Sequence, residues 1–129
     1  MPNTREEFRV NLQQAKRALK AGRTTKAEFW LQRANELAGY LNDNDKRAFV
    51  LHRLAEVGVQ QNETMIARKR FKQALNLIDT NDKVGYATLQ RDYGNFERIQ
   101  DNRKLGHNHV KKAIDTLDSI QNVTARVKL

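Results

Sequence analysis

Residues 67–78 read A-R-K-R-F-K-Q-A-L-N-L-I, and the fold turns on the return of this pattern at two other places. Residues 27–38 read A-E-F-W-L-Q-R-A-N-E-L-A, and residues 106–117 read G-H-N-H-V-K-K-A-I-D-T-L. Each begins with a small residue (Ala27, Ala67, Gly106), has a large apolar one four positions on (Leu31, Phe71, Val110), and an alanine three further on (Ala34, Ala74, Ala113). The alanines are 40 and 39 residues apart, and nineteen positions before each stands another small residue, Ala15, Ala55 or Gly94. In an α-helix, positions i, i+4 and i+7 share one face. A large side chain between two small ones there is a knob between shallow seats, and a small residue on the facing helix lets the two backbones approach.

The composition agrees with helices. Of 129 residues, 39% are hydrophobic and 30% charged, so the core must be thin and carried on amphipathic elements. The one proline is at position 2 and interrupts nothing. Val and Ile give way to Ala, Leu, Gln, Lys and Arg, which favours helix over strand. With no cysteine there is no disulfide, thiolate nucleophile or cysteine-ligated metal. The start, M-P-N-T-R-E-E-F, carries no apolar leader, and no run approaches the roughly 18–20 apolar residues of a membrane span. These features predict a cytoplasmic protein with no membrane partner.

Between the anchors the chain reads as three helix pairs. The first covers about 5–42, divided at Gly22-Arg23, with Thr25 and Glu28 as a capping box. The second covers about 44–80, with Asn62 or Thr64 as the cap between its helices. The third covers about 82–121, opened by Thr80-Asn81-Asp82 and divided near Asn102, and residues 122–129 form a frayed tail. Each pair leaves an apolar stripe that the next must cover, so the pairs stack within a single domain.

This arrangement resembles the tetratricopeptide repeat over nearly the whole chain. Ala67, Phe71 and Ala74 match the family's A-x3-F-x2-A directly, and the other two segments are conservative variants. The family repeat is about 34 residues, so the longer steps here call for longer helices. The family's closing proline is replaced by Gly39, Asp79 and Asp118. The resemblance implies an all-α, right-handed stack of three antiparallel helix pairs, about six helices. It implies a binding module whose concave face is lined by the first helix of each pair. Long-helix variants resemble those of peptide-sensing regulators, which adds a regulatory role to the expectation.

In that frame the outward positions of the first helices include Arg9, Leu12, Lys16, Leu19 and Lys20, then Phe49, His52, Arg53, Glu56 and Val59, then Thr88, Arg91, Asn95 and Arg98. Glu56 is the one acid set against six cations, so the groove suits a protein or acidic peptide. Arg91 and Asn95 resemble half of the family's carboxylate clamp, although they stand in the last repeat.

The net charge of +9 also suits nucleic acid, the alternative partner. Residues 1–42 hold 8 Lys/Arg and 4 Asp/Glu, residues 43–81 hold 7 and 5, and residues 82–129 hold 9 and 6, so the excess is spread. The densest run, Arg68, Lys69, Arg70 and Lys72, is expected on the convex side. Trp30 is expected to anchor the first pair on the second. Val110, Ile114 and Leu117 lack an obvious cover on the last helix, which points to a homodimer.

Chemistry is hard to find. His107 and His109 lie two apart and cannot grip one metal from one helix face. No phosphate-binding glycine loop, zinc-binding H-E-x-x-H or nucleophile-base pair is legible. The expectation is a non-enzyme without metal or cofactor.

Overall fold

The computed structural model describes the backbone of residues 3–127 and the side chains as far as residue 120. The protein is all-α. Its helices are α1 (Thr4–Lys20), α2 (Thr24–Tyr40), α3 (Asn44–Gln60), α4 (Thr64–Leu77), α5 (Lys83–Ile99) and α6 (Arg103–Val127). The chain forms two compact units, residues 1–77 with α1 to α4 and residues 78–129 with α5 and α6. None of the helices is long and apolar enough to cross a membrane among the described residues.

A left-handed residue ends most of the helices. Gly22, Asn42 and Asn62, at φ of 72°, 51° and 59°, follow α1, α2 and α3 at intervals of 20 residues. After each, an N–H returns to a carbonyl five residues back: Arg23 to Ala18 at 2.8 Å, Asp43 to Ala38 at 3.1 Å and Glu63 to Gly58 at 2.8 Å. Asp101 (φ 68°) repeats this between α5 and α6, with Asn102 donating to Glu97 at 2.8 Å. These are Schellman closures, which satisfy carbonyls that a helix end would otherwise leave open. Glycine adopts the conformation freely, and Asn and Asp tolerate it through their short polar side chains. The α4–α5 connection is built differently. There Asp79 accepts from the Asn81 N–H at 2.9 Å, and Asp82 caps α5 by accepting from Gly85 N–H at 3.1 Å.

Two sequence expectations about helix starts need correction. Asn62 is the left-handed turn residue and not a cap, and α4 begins at Thr64. Thr25 and Glu28 form no capping box: α2 begins one residue earlier, with Arg23 at the cap and no side-chain cap bond. The Glu28 carboxylate is held elsewhere, by Arg70. At the other end of the chain, α6 runs to Val127 and takes in most of the expected tail, because nothing from Asp118 to Val127 is Gly or Pro. Residues 128 and 129 lie outside the described residues.

In the first unit α1 packs on α2, α3 on α4, and α2 on α3; in the second, α5 packs on α6. Eleven of the twelve anchor positions are buried and Val110 is half-buried, so the recurring pattern is a packing signature. In the third pair the two seats are both glycine. A Cβ on Gly94 would lie 2.7 Å from the Gly106 carbonyl oxygen, so these helices touch backbone to backbone. On the exposed side of α6, Ile114 and Leu117 stay 53% and 43% exposed.

Arg70 overturns part of the expected convex patch. Its side chain is only 12% exposed and donates to the Leu54 carbonyl at 2.9 Å and to Glu28 Oε1 at 2.7 Å. It ties α4 to α3 and α2, which leaves Arg68, Lys69 and Lys72 along the outer side of α4 beside the exposed Met65. Trp30 is half-buried and lines a cleft together with residues of α1, of the α1–α2 connection and of α2.

Candidate ligand groove

Residues 9, 12, 16 and 19 recur at helical spacing and form one outward face of α1. Across from them α3 presents Phe49 and Arg53, four apart on its own face. Between these faces is a cavity of about 400 Å³. Leu12 and Leu19, both half-buried, form one wall, and Phe49, 48% exposed, forms the other. Ala15 and the α2 knob Leu31 make the floor. The space exists because Ala15 carries only a methyl group where the helices meet.

Charge lies at the rim. Arg53 extends over the Phe49 ring, 5.2 Å from its centroid, and its Nη1 donates to Glu56 Oε2 at 3.0 Å. His52 Nε2 lies 3.3 Å from Glu56 Oε1, so Glu56 serves two partners. Arg9 is paired with Glu6, and hydrogen bonding from Arg9 holds the Glu6 carboxyl below its usual range. Lys16 is exposed and has no ion-pair partner among the described residues. It is the cation at this cavity whose charge is uncommitted.

The expected groove residues thus divide. Arg9, Lys16 and Arg53 come together around the cavity, with Leu12, Leu19 and Phe49. His52 Nε2 meets the Glu56 carboxylate next to it, and Lys20 is exposed outside its lining. Arg91, Asn95 and Arg98 are exposed on α5 in the second unit, where Arg91 Nε donates to Asp92 Oδ1 at 3.2 Å. Glu56 therefore does not stand alone against the cations: Glu6 and Asp92 also pair with them. Glu6 precedes Arg9 by three positions, a helical ion-pair spacing that was legible in the sequence. No family model matches the chain, and no curated protein matches it.

The second unit holds a polar cluster inside its helix pair. Gln90 and Glu97 of α5 are buried. Gln90 Nε2 lies 2.9 Å from the Tyr86 hydroxyl, leaving Gln90 Oε1 to accept from His109 Nδ1. His109 lies against Tyr93 with ring centroids 4.6 Å apart. Burial pushes its pKa below the usual value, Lys112 pushes the same way, and Glu97 opposes them.

Proposed function

We propose that the protein is a non-catalytic binding module that takes a peptide segment of a partner protein against α1 and α3. The supporting observation is the cavity of about 400 Å³ with an apolar floor and a cationic rim, within the usual range of about 300–1,000 Å³ for small binding pockets. An aliphatic or aromatic side chain of the peptide fills the space between Leu12, Leu19 and Phe49, and a neighbouring carboxylate meets Lys16 and the outer edge of Arg53. The apolar anchor supplies most of the affinity, and the charges set orientation and approach rate. The resemblance to tetratricopeptide repeats supports the same choice of face by analogy of fold.

The test is fluorescence anisotropy with labelled peptides in which an Asp-Glu pair flanks one variable position. Leucine or phenylalanine there should bind and serine should not. Leu12→Glu should abolish binding, and Lys16→Glu should weaken it by about tenfold with a flatter salt dependence. Equal binding of the serine and leucine peptides would sink the proposal, as would a Leu12→Glu protein that binds normally with its helical circular dichroism intact.

A further inference from the structure

The opposite face of α1 carries a second recess. Positions 14, 18 and 21 lie roughly half a turn around the helix from 12, 16 and 19, and with the start of α2 they enclose a cleft of about 560 Å³. Ala18 and Ala21 keep it open. Arg17 stands on its α1 side, Arg23 and Lys26 on its α2 side, and Phe29 and Trp30 complete the α2 wall. The two rings meet edge to face at 5.1 Å, and Phe29 is 54% exposed.

No Asp or Glu occurs from residue 8 to residue 27, a stretch that carries Arg9, Lys16, Arg17, Lys20, Arg23 and Lys26. The next acid, Glu28, is engaged by Arg70. Arg17, Arg23 and Lys26 have no ion-pair partner among the described residues. Cations on both walls with aromatic rings beside them match a ligand that alternates anionic groups with flat apolar ones. An acidic peptide answers the charges and leaves the rings unused. A duplex keeps its bases stacked away from them.

We infer that the α1–α2 cleft binds a short stretch of single-stranded nucleic acid, with phosphates on Arg17, Arg23 and Lys26 and a base against Phe29 and Trp30. Stacking on an aromatic side chain is tolerant of sequence, so the site discriminates strandedness and not base identity. This surface is separate from the peptide cavity, and the inference does not depend on that reading.

Trp30 is the one tryptophan of the chain and reports on the site directly. The experiment titrates the full-length protein with a twelve-residue oligothymidylate and its oligouridylate counterpart while following tryptophan fluorescence. Quenching with saturable binding is expected, and a preference between the two strands identifies the natural one. With three phosphate contacts, log K against log salt should fall with a slope of about −2, from about −0.7 per contact on a single strand. Arg17→Glu with Arg23→Glu should bring that slope toward about −0.7. Phe29→Ala should weaken binding about 5- to 150-fold, whereas Lys69→Glu with Lys72→Glu on α4 should leave it unchanged. The altered side chains are solvent-facing, and circular dichroism with thermal melting confirms that each variant is folded. The inference is overturned by absence of binding at low salt. It is also overturned if polyglutamate or duplex DNA binds as tightly as the single strand, or if Phe29→Ala has no effect.

Discussion

Arg70 reads in the sequence as one more cation in a solvated run, yet its guanidinium joins three helices of the first unit. The planar fork reaches a main-chain carbonyl and a carboxylate at once, a geometry that lysine does not reproduce. Arg70→Met should therefore destabilise the protein by about 1–3 kcal/mol, because Glu28 loses its partner in a half-buried position. Arg70→Lys should recover little of it. Urea unfolding measures both, and adding Glu28→Gln to Arg70→Met should recover part of the loss if the two act as a pair. His109 gives the second test of a single side chain. Its folded pKa lies below its usual value, chiefly because burial disfavours the imidazolium. Its contribution to stability is therefore complete above the unfolded value near 6.5. It is lost as pH falls from there through the depressed folded pKa. Denaturation measured between about pH 7 and pH 5 should show falling stability, and His109→Gln should flatten that slope.

The helices differ in how they begin and in what their glycines do, and both differences can be measured. Asp43 accepts from the Lys46 N–H at 3.0 Å at the head of α3, and that bond holds its carboxyl below the usual range. Asp43→Ala should cost about 1 kcal/mol. Thr25→Ala should change stability by less than about 0.5 kcal/mol, since no cap bond at the start of α2 depends on it. Among the glycines, Gly39 near the end of α2 has open space where a Cβ would go. Gly39→Ala should stabilise by about 0.5–1 kcal/mol through the unfolded chain. Gly94→Ala pushes against the Gly106 carbonyl and Val110, so it should destabilise by about 1–3 kcal/mol despite alanine's higher helix propensity. Opposite signs for one substitution on two helices would separate close packing from propensity, and thermal melting reads both.

The division into two units carries its own expectation for the full chain. Residues 1–77 contain their own core, including Leu31, Leu51, Leu54 and Phe71, together with the tie from Arg70 to Glu28. A fragment ending after residue 77 should keep its helical circular dichroism and unfold cooperatively, with stability reduced as expected for so short a chain. A broad, non-cooperative melt would show that the first unit does not stand by itself. The net charge of +9 belongs to the whole chain, and residues 8 to 27 are its longest stretch without an acid.

Helix content, helix order and the positions of the turns were legible in the sequence, because each depends on local periodicity and on the small-large-small anchors. Ala27, Leu31 and Ala34 could be assigned to a buried seam before any coordinates, and Leu12, Lys16 and Leu19 to an outward face. What lies hundreds of atoms apart along the chain was not legible. Arg70 meets Glu28 across 42 positions, and no periodicity predicts which surface cation turns inward. The left-handed conformations of Asn42 and Asn62 could have been inferred from their recurrence at 20-residue steps after Gly22, but Asn also serves in caps and loops. The cavity beside Ala15 and the cleft beside Ala18 exist only once helices cross at a particular distance. Local chain chemistry determined which helices form, whereas packing between them decided which charges remain free to meet a partner.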